Sequence, residues 1–124
     1  MKEILFRGKC IITDKWYEGD YFRLKWENGI VSHYLYVEKN RYYKVEIYPE
    51  TVGMFTGHTD KNGTKIFDGD ILKTYGGEYV VVTFTNTQFI LKKKNGRSCT
   101  WQYVHNHEVV GNIYDNDIKE YWNE

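Results

Sequence analysis

His105-Asn106-His107 is the first stretch where residue type and spacing could do chemistry. On a strand, successive side chains face opposite ways, so the two imidazoles would share a face and could share a metal ion. Cys99 precedes them and Glu108 follows, adding a sulfur and an oxygen donor. Structural zinc sites pair Cys and His more tightly, as in Cys-x2-Cys, and the chain has no second pair. Solvent-facing histidines are the simpler reading, and no metal or other cofactor is expected.

Paired carboxylates come next. Asp68/Asp70 and Glu18/Asp20 each straddle a glycine. Two acids so spaced could flank a reacting bond or hold a cation. Both pairs precede a strand pattern, where acids commonly serve turns. Asn62, Gly63, Asp68, Gly69 and Asp70 are therefore read as a structural turn motif, and Asp115/Asp117 as helix capping. Neither a nucleophile elbow nor a phosphate loop is recognisable, so the chain is not expected to be an enzyme.

Two patches speak for binding instead. Lys92, Lys93, Lys94 and Arg97 form a basic hairpin tip, with Phe89, Trp101 and Tyr103 close by in sequence. Single-strand nucleic-acid binders combine a positive groove with stacking rings. Lysines at a strand end also guard sheet edges against aggregation. The second patch is tyrosine-rich: Tyr34, Tyr36, Tyr42, Tyr43 and Tyr48 crowd one stretch. Tyrosine is enriched at protein interfaces because it covers area at low entropic cost and keeps a polar handle. Tyr34, Tyr36, Tyr42 and Tyr48 are the candidate protein-binding surface. Glu38, Lys39, Arg41, Lys44 and Glu46 would supply a polar rim, and the alternative is that the rings close a half-buried sheet.

The elements that must position these residues are strands. Phe22, Leu24 and Trp26 alternate with Arg23 and Lys25, and Tyr43, Val45 and Ile47 alternate with Lys44 and Glu46. This period of two marks half-buried strands. Val80, Val82 and Phe84 predict another, as do Phe89 and Leu91. Phe22, Leu24, Trp26, Phe67, Ile71, Val80, Val82, Phe84, Leu91 and Ile113 form the predicted core. Asn28-Gly29, Asn62-Gly63, Asn95-Gly96 and Gly76-Gly77 punctuate the runs, and Asn-Gly suits the positive φ of tight hairpins. Helical signals are short: a single turn at Pro49–Val52, and a capped turn or short helix after Asp115-Asn116-Asp117. A faint echo joins Lys15-Trp16-Tyr17-Glu18-Gly19-Asp20-Tyr21-Phe22 to Lys65-Ile66-Phe67-Asp68-Gly69-Asp70-Ile71-Leu72. It predicts a reused acid-Gly-Asp corner that turns the chain and launches a strand.

Length and composition bound the rest. The 124 residues fit one domain or two small lobes. Twelve Tyr, six Phe and four Trp favour pleated, half-buried surfaces. Seventeen basic side chains balance seventeen acidic ones, so no global field draws in nucleic acid or an anionic membrane, and self-association meets little repulsion. Charge interrupts the N-terminus too early for a signal peptide, and no apolar run could span a membrane, which predicts a cytoplasmic protein. Cys10 and Cys99 are read as reduced thiols, with a single bridge as the alternative.

Two stretches resemble a known family. Glu50 to Gly57 and on through Asp60-Lys61-Asn62-Gly63-Thr64-Lys65-Ile66-Phe67-Asp68-Gly69-Asp70-Ile71-Leu72 is similar to the YopX pattern: an aromatic-Thr-Gly, an Asp-Lys-Asn-Gly turn, then aromatic-acid-Gly-Asp-Ile. Glu108-Val109-Val110-Gly111-Asn112-Ile113-Tyr114-Asp115-Asn116 resembles its closing segment, and Lys2 to Lys9 its start. Residues 27 to 48 carry no family motif. Asp117 stands where the family often has proline, and either suits a first helical turn. The resemblance implies a phage or prophage origin, an SH3-type barrel, and no catalytic residues.

The expected fold is all-β: a small SH3-like barrel or strongly bent antiparallel sheet. A strand-rich lobe would cover about residues 1–48, the barrel portion about 49–114, and a C-terminal turn or short helix 115–124. The expected function is a non-catalytic module that contacts a host or phage protein in the bacterial cytoplasm. The alternative is a nucleic-acid-binding accessory protein, with a metal- or carboxylate-dependent enzyme behind both.

Overall fold

Alternation and turn chemistry together dictate strands, and strands are what form. The computed structural model describes residues 4–39 and 41–123, except for the side chain of Lys39. Lys2 and Glu3 of the family-like opening, the Lys39 side chain as a rim charge, and Asn40 lie outside that description. The chain divides into two compact units, Met1–Phe55 and Thr56–Glu124.

The first unit holds β1 (Phe6–Lys9), β2 (Trp16–Lys25), β3 (Val31–Lys39), β4 (Arg41–Glu46), a 3-10 turn at Pro49–Thr51 and the start of β5 (Gly53–Thr59). Its strands run antiparallel in the order β4-β3-β2-β1-β5. The sheet bends enough for Cys10 to bridge to Ile47, while Tyr48 N–H donates to the Lys9 carbonyl at 2.9 Å. Leu35, Val37, Val45, Ile47 and Cys10 are buried together, with Phe6, Tyr17, Tyr21, Tyr43 and Val52 packed against them.

The second unit holds β6 (Lys65–Phe67), β7 (Asp70–Lys73), β8 (Tyr79–Thr85), β9 (Gln88–Lys92), β10 (Ser98–Cys99), β11 (Glu108–Asn112) and α1 (Ile118–Trp122). Five of them form an antiparallel sheet in the order β10-β9-β8-β7-β11. Ile66, Leu72, Val80, Val82, Leu91 and Val104 make its core, flanked by Phe89, Cys99, Trp101 and Val109. The all-β expectation holds. Neither sheet closes into a barrel.

The four punctuation pairs all turn the chain. Gly29, Gly63, Gly77 and Gly96 have φ between +79° and +90° and lie between β2 and β3, β5 and β6, β7 and β8, and β9 and β10. The β8–β9 turn went unsignalled: Asn86 and Thr87, neither a glycine, adopt φ of +49° and +66°. Asp117 caps α1 by accepting from Lys119 N–H at 3.0 Å.

Three predicted core residues are exposed. Trp26 lies just past the end of β2 and donates its indole N–H to Ser32 Oγ at 2.9 Å. Phe84 sits near the far end of β8, edge-on to Phe89 at 4.8 Å between centroids. Ile113 follows β11, where its backbone N–H is held by the Gly69 carbonyl while its side chain faces water. Phe22 and Leu24 are half-buried, but on the face opposite the core. β2 turns Tyr17 and Tyr21 of its odd phase to the core, because Tyr21 pairs with Leu35 and Leu35 with Val45, while Arg23 and Lys25 at its far end are exposed. One residue of phase moves every side chain across the sheet.

The internal echo separates as well. Asp68-Gly69-Asp70 is a corner between β6 and β7, with Gly69 at φ +92°. Glu18-Gly19-Asp20 runs straight through the middle of β2. Gly19 serves close approach instead: a Cβ there would collide with the Tyr36 carbonyl oxygen.

Candidate functional site

The core of the first unit uses one face of β2, β3 and β4, so even-numbered residues face away from it. Asp20 pairs with Tyr36 and Tyr36 with Lys44; Phe22 pairs with Tyr34 and Tyr34 with Glu46; Glu38 pairs with Tyr42. Directly paired residues share a face, so this outer surface gathers rings and charges from three strands. Tyr36 and Tyr42 stack with centroids 5.0 Å apart and planes 10° apart. Phe22 stacks on Tyr34 at 5.3 Å and meets Tyr36 edge-on at 6.4 Å. The Lys44 ammonium lies 5.0 Å from the Tyr34 ring centroid.

Exposure sorts the candidate tyrosines. Tyr36 is 44% exposed and Tyr42 56%, whereas Tyr34, between Phe22 and Lys44, is only 7% exposed. Tyr48 does not join them; its hydroxyl reaches the Ile11 carbonyl at 3.5 Å. Tyr42 donates its hydroxyl to Glu38 Oε2 at 3.0 Å. That bond, with the negative charges of Glu38 and Asp20 around it, holds the phenol above its ordinary value. Alternation alone places Phe22 in the core and Lys44 in the rim, whereas both contact the rings of this surface.

The basic hairpin is built differently. Lys93 pairs with Glu78 at 4.0 Å, and Lys94 donates to the Trp122 carbonyl at 2.8 Å. Lys92 and Arg97 are exposed. The nearby rings do not stand beside them: Phe89 and Trp101 pack against the second core, and the Trp101 indole donates to the Phe89 carbonyl at 3.0 Å. Tyr103 is exposed, next to Tyr75 at 5.9 Å.

His105 and His107 do not share a strand face. His105 lies in a 3-10 turn, Val104–Asn106, exposed and held by the Thr59 carbonyl at 3.1 Å. His107 is buried, and its Nδ1 accepts from Tyr75 N–H at 2.9 Å. Burial pushes His107 below the ordinary imidazole value. Among the described residues no three His, Cys, Asp or Glu come together as metal ligands. Cys10 and Cys99 are both free thiols, one in each unit.

The carboxylates of the turn motif bind backbone. Asp70 Oδ2 accepts from Phe67 N–H at 2.8 Å, and Asp68 Oδ1 from Phe84 N–H at 3.2 Å. Asp60, which the residue pattern did not single out beyond the family motif, is the most heavily used. Its carboxylate accepts from Asn62, Thr64 and Val109 N–H at 2.8–2.9 Å. Burial pushes its pKa up, but these donors, led by Val109 and aided by the Lys61 charge, outweigh it and hold the carboxyl low.

No helix among the described residues is long and apolar enough to cross a membrane. A family model described as YopX protein matches residues 5–118, and the chain belongs to that family. No curated protein matches it.

Proposed function

We propose that this YopX-family chain is a phage- or prophage-encoded, non-catalytic binding module that works through protein contact in the bacterial cytoplasm. The observation that carries the reading is the stacked, exposed Tyr36–Tyr42 pair on the outer side of a sheet whose inner side already has its core. Rigid aromatic pairs of this kind are what anchor protein interfaces. Asp60, Asp68 and Asp70 each accept from backbone N–H groups, which argues for turns and against acid–base work at these three. The test is an affinity pulldown from host cells with wild type and with Tyr36→Ser/Tyr42→Ser. The partner should be captured by wild type and lost from the double variant, which should stay folded and melt only slightly lower. Equal capture by both removes the tyrosine face from the reading.

A second reading keeps nucleic acid in play, because Lys92 and Arg97 are exposed at one hairpin. Gel shift with single- and double-stranded DNA at low and moderate salt addresses it, since phosphate contacts weaken steeply with salt.

A further inference from the structure

We propose that the partner presents a basic segment, and that the outer face of β2–β4 takes its arginine or lysine side chains on the Tyr36–Tyr42 stack. The proposal rests on the protein-contact reading above and specifies its chemistry. Three observations carry it.

First, the acids outnumber the bases around the stack. Asp20 sits directly across from Tyr36, Glu38 across from Tyr42, and Glu46 across from Tyr34, with Lys44 the cation among them. Asp20 is exposed and makes no ion pair among the described residues, so its carboxylate is available to a ligand. Second, this face already takes cations on its rings. Lys44 lies over Tyr34 at 5.0 Å, and the Arg7 guanidinium lies over Trp16 at 4.9 Å. Arg7 pairs with Glu18, which has the same phase in β2 as Asp20. A cation over a ring face gains from the ring's quadrupole, and tyrosine and tryptophan serve well. Third, a cleft of about 430 Å³ offers a second place for a long side chain. Trp16, Glu18 and Glu38 of the outer phase line it together with Tyr17, Val37 and Tyr43 of the core-side phase and with Lys15, so it lies where the two faces meet. Glu38 therefore borders both the stack and the cleft. A guanidinium can stack on a ring and bond a carboxylate at once, which favours arginine over lysine. The same acids would repel phosphate, so nucleic acid does not fit this face.

The test uses the full chain and a fluorescent arginine-rich glycine–serine peptide, beside the same peptide with citrulline at every arginine. Binding is read by anisotropy, and the tyrosine resonances report the site. The arginine peptide should bind and shift Tyr36 and Tyr42, and the citrulline peptide should not. Asp20→Asn and Tyr36→Ser should each weaken binding by about two- to five-fold, the size of one exposed cation–π or ion-pair contact. Glu120→Gln in α1 removes the same charge elsewhere and should leave binding unchanged. Melting curves confirm that every variant is folded. Equal binding of both peptides overturns the cationic assignment, as does an equal effect of Asp20→Asn and Glu120→Gln. If neither peptide binds while the tyrosine double variant still loses its protein partner, the basic-segment proposal falls and the protein-contact reading stands. If the pulldown fails as well, both fall.

Discussion

Rings fill out the first unit, and branched aliphatics fill the second. Around Leu35, Val37, Val45 and Ile47 stand Phe6, Tyr17, Tyr21 and Tyr43, all only partly buried. In the second unit Ile66, Leu72, Val80, Val82, Leu91 and Val104 are each at most 2% exposed. A buried carboxylate, Asp60, ties its β5–β6 turn to the start of β11. The difference teaches that one sequence signal, period-two alternation, serves two ends. Where one phase is aliphatic, it fixes a dry core. Where both phases carry rings, it leaves one set over for the outside.

The largest expected effects test the two cores directly. Leu72→Ala should cost about 2–5 kcal/mol, as for large-to-small changes in tight cores. Leu35→Ala should fall lower in that range, because half-buried rings beside it can tilt into the space. Urea unfolding of both variants checks the order, and a larger loss at Leu35 would break the comparison.

Asp60 sharpens it next. Asp60→Asn keeps the shape but removes the charge that three backbone N–H groups bond, and should cost about 1–3 kcal/mol. The carboxyl is held below its ordinary 3.8, so the stability it provides is fully present above that value. That stability is lost as pH falls through the lower folded-state value. His107 has the same sign for a different reason. It stays neutral below the ordinary 6.5, so the unfolded chain takes the proton first and stability declines as pH falls from there. Melting temperature against pH should show both limbs. Asp60→Asn should flatten the acidic one, and His107→Gln the one that starts near 6.5.

The two acid-Gly-Asp copies give a smaller, cleaner test. Gly69→Ala meets both a positive φ and the Tyr114 ring, 2.9 Å from the new Cβ. Gly19→Ala meets backbone, the Tyr36 carbonyl, which cannot swing aside. Each should cost more than Gly63→Ala, where φ is +79° but the space is open and the cost is about 1 kcal/mol. Thermal melts of the three rank them, and equal losses at Gly69 and Gly63 with little loss at Gly19 would mean that only φ matters.

These glycines also show what the sequence made legible. Asn-Gly and Gly-Gly pairs announced four hairpins correctly, because positive φ at a tight turn has a residue-level signature. The Glu18-Gly19-Asp20 triplet has the same letters as Asp68-Gly69-Asp70 and a different job, since close approach of another strand is a long-range fact. Phe22, Leu24 and Trp26 mark a strand whichever face they take. Their phase was decided by Leu35 and Val45 on other strands. The tyrosine surface was half legible: parity put Tyr34, Tyr36 and Tyr42 on one face, but Tyr48 leaves the strand and bonds Ile11. Asp60's role depends on Val109, far along the chain, and no local pattern encodes it.

The smallest expected effect on stability carries the most functional weight. Tyr36→Ser/Tyr42→Ser removes the exposed stack from the first unit. Were these rings core, truncation would cost about 3–5 kcal/mol, as for buried aromatics, and melting would drop by many degrees. As outer-face rings, they lose only their mutual stacking and the Glu38 bond, together about 1 kcal/mol. Tyr34→Ser is the internal control. That ring shares the face but is buried between Phe22 and Lys44, so its loss should destabilise well beyond the double variant. The ordering separates a surface from a core within a single sheet face. A double variant as damaging as Tyr34→Ser would mean that the stack holds the first unit together, and the surplus of rings would need no partner to explain it.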